Sequence, residues 1–177
     1  MLKIYCNQQK ELKINYGFED SPFGEMLIMT VDDKICYLGF VNNYSKEEVL
    51  NIAKKSFKNL AIDFMSADLK DIGKTIFTNS SKNILLIGTP FQIDVWQALI
   101  KIDKGTVLSY EDLAKSVDGI DSNRNYTRAT ATAIANNKIS YLIPCHRVIA
   151  KNGSIHNYLW GADLKRKILT YEGVNLK

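Results

Sequence analysis

Cysteine, histidine and proline are all scarce in this chain, whose 177 residues include three cysteines, two histidines and three prolines. An odd number of cysteines, with no basic and then apolar leader at the start, argues against a disulfide framework. No apolar run approaches the length of a membrane-spanning helix, so no membrane association is expected. We therefore predict a soluble, cytoplasmic protein in a compartment that keeps thiols reduced.

Candidate metal ligands are equally few in the first half of the chain. Cys6 and Cys36 lie there, but both histidines lie beyond residue 140. A structural zinc site needs about four such ligands, so we predict no metal. No sequence pattern indicates a binding site for a nucleotide or a methyl donor either, so we predict that the protein uses no cofactor.

Acidic residues are absent from residues 122–162, which contain several bases. Residues 1–90 carry eleven basic and eleven acidic side chains, whereas residues 91–177 carry twelve basic and eight acidic ones. A long stretch without acids is typical of a surface that meets a polyanion such as DNA. The alternative, judged on charge alone, is a chance fluctuation. The bases in the stretch are Arg124, Arg128, Lys138, Arg147 and Lys151.

The motif Pro-Cys-His-Arg-Val occupies residues 144–148 and offers reactive chemistry. The apolar run 139–143 before it predicts a strand, which the proline ends at Cys145. A nucleophilic cysteine needs a thiolate, and nearby positive charge from Arg147 or a helix N-terminus favours one. His146 is a candidate to relay the proton. The alternative is a buried structural cysteine beside a satisfied histidine.

The first half of the chain is predicted to form a small α+β domain with a mostly antiparallel sheet, at residues 1–87. Two apolar runs separated by a short polar turn indicate a hairpin. Ser45 and Glu48 have the spacing of a capping box at a helix start. The expected elements are strands at 26–31, 35–40, 75–77 and 83–87, and helices at 45–58 and near 60–69.

The second half, residues 88–177, is predicted to be mostly helical. Apolar spacing indicates a helix at 91–102, and Ser109 is a candidate cap for a helix at 110–117. A polar loop at 118–125 and an alanine-rich helix at 127–136 follow, which suggests a helix-turn-helix; periodicity alone fits any pair of antiparallel helices. In the last helix, from 163 to 173, the run 165–167 is expected to be a solvated basic face.

These residues resemble the O6-alkylguanine-DNA alkyltransferases, DNA repair proteins that accept an alkyl group onto their own cysteine. The resemblance runs from 88–92 (Gly-Thr-Pro-Phe-Gln) through the motif at 144–148 to Glu172 and Gly173, about half the chain. So many matches in one order make a specific signal. The matches between are Val95, Trp96, Ala98, Leu99, Ile102, Gly105, Thr106, Ser109, Tyr110, Leu113, Ala114, Arg128, Ala129, Asn137, Gly153, Asn157, Tyr158, Trp160, Gly161 and Lys165.

The resemblance assigns the chemistry to five residues. Cys145 matches the alkyl acceptor, His146 matches the residue that deprotonates the thiol through a water, and Glu172 matches the carboxylate that orients that histidine. Tyr110 matches a tyrosine that donates toward the departing base and helps to rotate the nucleotide. Asn137 matches the hinge between the recognition helix and the active-site strand.

The resemblance also implies how DNA is held. A lesion within the base stack is reached by flipping the nucleotide out, and Arg128 matches the arginine that fills the gap. The alternative for Arg128 is an ordinary phosphate contact or a surface arginine. The implied partner is double-stranded DNA carrying O6-alkylguanine, bound through the minor groove with little sequence specificity. The residues assigned to DNA are Arg128, Thr127, Ala129 and Tyr110, and those assigned to the base pocket are Tyr158, Val148 and Trp160.

The chain departs from the family pattern at several positions. Lys138 stands where a proline usually follows the hinge asparagine, and Ala131 stands where a glycine is usual. His156 and Trp160 occupy places that are often small. If both rings turn inward, methyl groups fit and benzyl groups clash; the alternative is that both pack outward on the surface.

Together these observations predict a monomeric repair protein that accepts one alkyl group per molecule and needs no cofactor. O4-alkylthymine remains open as a second substrate. Two other classes stay open as well. A non-enzymatic lesion-binding protein of the same fold would lack the nucleophile, and a cysteine hydrolase would turn over repeatedly.

Overall fold

The computed structural model describes residues 2–7, 11–118, 126–155 and 157–175. The chain divides into two compact units, Met1–Ile87 and Gly88–Lys177. Within the described part of the chain, no helix is both long enough and apolar enough to cross a membrane. The predicted α+β class is confirmed, since the described residues form a six-stranded sheet, a two-stranded sheet and six α-helices.

The first unit is a six-stranded sheet with two helices. The elements are β1 (Leu2–Cys6), β2 (Glu11–Ser21), β3 (Gly24–Val31), β4 (Lys34–Phe40), α1 (Lys46–Ser56), β5 (Ala61–Ser66), α2 (Lys70–Thr75) and β6 (Lys82–Leu86). The strand order is β1-β6-β4-β3-β2-β5. The predicted hairpin strands β3 and β4 are antiparallel, and β2, a strand that was not predicted, is antiparallel to β3. Three further pairs, β1 with β6, β2 with β5, and β4 with β6, are parallel, which the sequence pattern did not indicate.

The core of this unit lies on both faces of β3 and β4. Successive side chains of a strand point to opposite faces, and both Ile28 and Met29 are fully buried. Helix α1 packs on β3 and β4, and α2 packs on β2. In α2, a Cβ on Gly73 would lie 3.1 Å from the side chain of Glu19, so glycine there lets the helix approach the sheet closely.

The predictions for this unit had mixed outcomes. The hairpin is confirmed, and so is the capping box of Ser45 and Glu48 at the start of α1. The prediction of a helix near 60–69 is wrong, because strand β5 forms there. Its first residues alternate between exposed and part-buried, which is the pattern of a strand. The strand at 75–77 is also wrong, since α2 ends in that place and turns follow.

The second unit is mainly helical. Its elements are α3 (Pro90–Ile100), β7 (Leu108–Ser109), α4 (Tyr110–Ser116), α5 (Thr127–Ala135), a 3₁₀ helix (Cys145–Arg147), β8 (Val148–Ile149) and α6 (Ala162–Tyr171). Thr89 caps α3 in a capping box with Gln92, and Ser109 Oγ accepts a hydrogen bond from Asp112 N at 3.1 Å to cap α4. The predicted helices are found within a few residues of their expected ends. Of the polar loop predicted at 118–125, residues 119–125 lie outside the described residues.

Trp96 of α3 fixes the position of α5. Its indole is buried, and Nε1 donates to the backbone oxygen of Ala133 at 2.9 Å. A Cβ on Gly88 would lie 2.7 Å from the same ring, so only glycine fits against it. Helices α3 and α4 both pack on α5, which leaves one face of α5 exposed.

The segment before the cysteine motif is not the predicted strand. Leu142 N donates to Ser140 O at 2.9 Å, and Cys145 N donates to Ile143 O at 2.8 Å. Each bond spans two residues, so the chain makes two successive γ-turns, the second centred on Pro144 with φ −80° and ψ 61°. The apolar run therefore serves to bury side chains in a tight turn.

Candidate active site

A cleft of about 690 Å³ opens in the second unit, and Cys145 lies in its wall. Its lining comes from α4, α5, the segment after α5, the loop at 157–160 and α6, so residues far apart in the chain meet there. Six predicted site residues outside the motif line the same cleft as Cys145. They are Tyr110, Thr127, Arg128, Asn137, Tyr158 and Trp160.

Asn137 holds the thiol in place. Its Nδ2 donates both to Cys145 Sγ at 3.1 Å and to the backbone oxygen of Ile143 at 2.9 Å. Its Oδ1 accepts from Ile139 N at 3.0 Å. The predicted hinge asparagine thus connects the end of α5 directly to the sulfur, and all the polar atoms of its side chain are engaged.

One feature of the surroundings of Cys145 raises the pKa of its thiol, and several others lower it. Burial raises the pKa of the thiol, and this effect is the largest. The hydrogen bond from Asn137, the charge of Lys165 and the backbone N–H groups of Cys145 and His146 act in the opposite direction. Lys165 is therefore the cation that favours the thiolate, in place of Arg147 and a helix N-terminus, the two sources of charge considered from the sequence.

Arg147 instead holds the carboxylate that faces His146. Its Nε and Nη2 donate to the two oxygens of Glu172 at 2.8 Å and 2.7 Å, and Nη1 donates to the backbone oxygen of Ile102. Such a two-pronged pair fixes both the position and the plane of the carboxylate. Burial works to raise the pKa of Glu172, but hydrogen bonds from Arg147 and the nearby imidazole outweigh it and lower the pKa to about 2.

His146 faces this carboxylate from the 3₁₀ helix. The side chain is 0% exposed, and Nε2 lies 3.2 Å from Glu172 Oε1, although off the line that a good hydrogen bond takes. Nδ1, also buried, makes no hydrogen bond with a described residue. Burial lowers the pKa of His146, and Glu172 opposes that effect. A neutral imidazole beside an ionised carboxylate is suited to accept a proton.

The end of α6 determines where Glu172 stands. Glu172 is the C-cap, and Gly173 follows it with φ +88°. Val174 N donates to Leu169 O at 2.9 Å, which closes a Schellman-type end. A left-handed residue at this point favours glycine, so the Glu-Gly pair of the sequence has a local reason.

A short parallel strand pair brings Tyr110 to the cleft. Leu108 pairs with Val148 and Ser109 with Ile149, which joins the start of α4 to the residues that follow the cysteine motif. Burial, and then the charge of the nearby Cys145, raise the pKa of Tyr110. Its phenol therefore stays protonated and can donate.

Trp160 turns inward. The indole is 1% exposed and lines the cleft, and Nε1 donates to Ser140 Oγ at 2.7 Å. The alternative that this ring packs outward on the surface is therefore wrong. Tyr158 is also part of the wall, and its pKa is raised well above the usual value, chiefly by burial. His156, the other ring of the prediction, lies outside the described residues.

Lys165 is the functional candidate that the sequence reasoning missed. The run 165–167 was expected to be a solvated face, but Lys165 is 1% exposed and lines the cleft. Nζ donates to the backbone oxygen of Val148 at 2.6 Å and lies 6.0 Å from the centre of the Tyr158 ring. The signal was available, because Lys165 falls on the same helix face as Leu164, Ile168 and Leu169.

The remaining predicted residues take different places. Arg128 is exposed on α5 at the cleft, and Thr127 lines the cleft beside it. Ala129 is exposed on the same helix but is not part of the lining. Val148, predicted for the pocket, is fully buried outside the lining, and its contribution is the carbonyl that holds Lys165. In the part of the chain that the structure covers, no three His, Cys, Asp or Glu side chains are grouped as metal ligands.

Fold and site together define a two-unit protein in which a helical unit presents a buried cysteine beside an exposed helix. The matching family description is "6-O-methylguanine DNA methyltransferase, DNA binding domain", which covers residues 90–174. The methylated-DNA--protein-cysteine methyltransferase of Metallosphaera sedula is 35% identical over 167 residues, which are 93% of this chain and 96% of that protein.

Two further comparisons agree with these. The corresponding protein of Methanosarcina acetivorans is 30% identical over 160 residues, 89% of this chain and 97% of its own length. The crystal structure of Mycobacterium tuberculosis O6-methylguanine methyltransferase is 25% identical with a TM-score of 0.70, over 90% of this chain and 92% of that one. The chain belongs to the methylated-DNA--protein-cysteine methyltransferase family, and the resemblance seen in the sequence is confirmed.

Proposed function

We propose that this protein repairs DNA by moving the alkyl group of O6-alkylguanine onto Cys145, once per molecule. One observation carries the proposal: the Cys145 thiol, held by Asn137, lies in the wall of a cleft that also reaches the exposed Arg128 of α5. A cleft of about 690 Å³ is large enough for a flipped nucleotide base.

The transfer is a displacement at the alkyl carbon. The thiol proton passes through a water to Nδ1 of His146, because Nε2 faces Glu172. The sulfur then forms a bond to the carbon as the bond from that carbon to guanine O6 breaks. Tyr110 donates a proton to the departing base and is reprotonated from solvent. The products are a thioether on Cys145 and unmodified guanine in the DNA.

The electrostatic role of Lys165 follows from its position. A buried thiolate needs a compensating charge, and Lys165 supplies one inside the cleft. The backbone oxygen of Val148 holds Nζ there. Glu172 stays ionised because Arg147 donates hydrogen bonds to both of its oxygens. The carboxylate then stabilises the imidazolium that forms on His146.

The DNA partner is proposed to bind across α5 through the minor groove, with little sequence specificity. The exposed side of α5 carries small side chains, among them Ala129 and Ala135, which allow close approach. Flipping costs a few kcal/mol of unstacking, and Arg128 is placed to fill the gap. Monomeric action is part of the proposal, because one chain contains all the groups that the reaction uses.

Intact-mass spectrometry after incubation with an O6-methylguanine duplex tests the proposal. We expect a single methyl mass on Cys145, no transfer by Cys145→Ala, and normal transfer by Cys6→Ala, which removes an exposed free cysteine as the matched control. Release of many methyl groups per protein molecule would overturn single use, because a thioether has no evident route back to a thiol.

The same measurement separates the two alternatives. A lesion-binding protein without chemistry would bind the duplex and gain no mass, but the held thiol and its proton relay argue against it. A cysteine hydrolase would turn over repeatedly on esters or peptides. The exposed arginine at the cleft and the acid-free stretch favour DNA over those substrates.

A further inference from the structure

Tyr141 lies flat against the His146 imidazole. The two ring centres are 6.0 Å apart and the planes differ by 12°, which is an offset parallel stack. His146 is completely buried and Tyr141 half-buried, so the phenol is the more exposed ring of the pair. Neither the family resemblance nor the reaction described above uses this tyrosine.

The backbone at Tyr141 has an unfavourable conformation. Its φ is +69°, in the left-handed region that non-glycine residues seldom enter. The bond from Leu142 N to Ser140 O makes it the centre of a γ-turn with positive φ, the strained form of that turn. Strain of this kind persists where the surrounding structure fixes it and often marks a functional site.

The charged and titratable groups around His146 come from two elements and the turn. Glu172 and Lys165 belong to α6 and its end, while Cys145 and Arg147 are the neighbours in the 3₁₀ helix. Tyr141 faces the imidazole from the turn, and it also senses the charges of Glu172, Tyr171 and Arg147. Of these groups, Tyr141 is the one whose ring is stacked on the imidazole.

We propose that Tyr141 is a positioning residue for the proposed base, and that its strained turn holds the ring as a lid which fixes the plane of the His146 imidazole and shields its face from bulk solvent, while Nδ1 stays accessible to the water that relays the proton. The inference rests on the proposed function, since His146 must act as a base for its orientation to matter. With the imidazole plane fixed, Nε2 stays beside Glu172 and Nδ1 remains directed away from it.

Three variants separate the ring from the backbone. Tyr141→Phe keeps the stack and should transfer methyl groups at the wild-type rate. Tyr141→Gly and Tyr141→Asn suit positive φ but lose the ring. For both we expect single-turnover transfer to slow about tenfold at neutral pH. A positioned base contributes roughly 10²–10⁴-fold to a rate, and this loss is part of that contribution. The acid limb of their rate profile should move to higher pH, because water reaching the imidazole raises its pKa.

The same substitutions in a His146→Ala background distinguish positioning from general structure. If Tyr141 acts through His146, Tyr141→Gly should slow His146→Ala no further. An equal loss in both backgrounds, or a wild-type rate and pH profile for Tyr141→Gly, would overturn the inference. If instead His146→Ala itself transfers at the wild-type rate, the proposed base is wrong, and that result is distinct from a failure of Tyr141 alone.

A measurement on the unmodified protein keeps the test independent of how the variants fold. The chain has only two histidines, so their imidazole C–H signals in a proton NMR spectrum are readily assigned with His156→Gln. We expect the His146 signals to be shifted upfield by the ring current of Tyr141. His146 signals at the position of a free imidazole would show that the rings do not stack in solution, which would overturn the proposal.

Discussion

At the scale of single residues, Lys165 shows how burial gives an ordinary side chain a function. Burial lowers the pKa of Lys165 to about 8, while the Cys145 charge opposes the change. Below that pH the ammonium is charged and faces the thiol; above it the charge is lost. The pKa of Lys165 is lower in the folded protein than in the unfolded one. Its contribution to the free energy of unfolding therefore increases as the pH rises from about 8 to 10.5.

Lys165→Met should therefore raise the pKa of Cys145 further and slow alkyl transfer about tenfold at neutral pH. The measurement is the rate of thiol alkylation, and of methyl transfer from DNA, as a function of pH. Lys167→Met, an exposed lysine of the same helix, is the control and should leave both profiles unchanged. Identical profiles for Lys165→Met and wild type would remove the lysine from the mechanism.

Trp160 sets a limit on the alkyl group at the same scale. Its indole is held inward by Ser140, so the wild type should strongly prefer O6-methylguanine over O6-benzylguanine. Trp160→Gly should relax that preference about tenfold, within the range that pocket size contributes to specificity. The two single-turnover rates measure it.

Trp160→Phe is the control for Trp160→Gly. It keeps an aromatic ring in the pocket wall without the bond to Ser140, so it avoids the loss of stability that the large cavity of the glycine variant would cause. It should retain most of the preference for methyl. His156→Gly is predicted to act in the same direction as Trp160→Gly. Rapid benzyl transfer by the wild type would contradict the prediction, because the cleft would then be open to large groups.

At the scale of elements, α5 separates binding from chemistry. Arg128 projects from its exposed side, while Asn137, just after its end, holds the thiol. Arg128→Ala should slow repair of duplex DNA roughly tenfold or more, since unstacking is no longer offset, but should hardly affect transfer from the free O6-methylguanine base. Single-turnover rates on the two substrates measure the difference.

Two comparisons sharpen this test. His146→Ala and Glu172→Gln should slow both substrates alike, because thiol activation fails in either case. Arg166→Ala removes another exposed arginine, on α6, and should change neither rate. Equal losses of Arg128→Ala on duplex and free base would show that the arginine serves the thiol site instead.

At the scale of the whole molecule, the sequence predicted best where local chemistry decides the structure. The capping residues Ser45 and Ser109 predicted where their helices begin, and the motif at 144–148 identified the thiol. The prediction failed where distant residues decide. The run 61–66 becomes a strand because β2 offers it an edge, and Lys165 is buried because Val148 supplies an acceptor. Neither partner is near in sequence.

The strand predicted at 139–143 failed for a related reason. β-branched and apolar residues favour an extended chain, but the segment must place both a thiol and an imidazole within a short distance after α5. It does so through two γ-turns, one of them centred on Tyr141 with positive φ, a conformation no propensity for tyrosine would suggest. The cytoplasmic location remains a prediction.

The position of α6 has a consequence for how the protein becomes active during synthesis. Lys165 and Glu172 follow Cys145 in the sequence by twenty residues or more, and the turn that fixes Glu172 closes only with Val174. A ribosome-bound chain that stops before these residues has Cys145 but neither its counter-charge nor an oriented base. Synthesis of residues 165–174 therefore supplies the groups that activate a thiol made earlier, and a chain that stops before them should be consumed by alkylation more slowly.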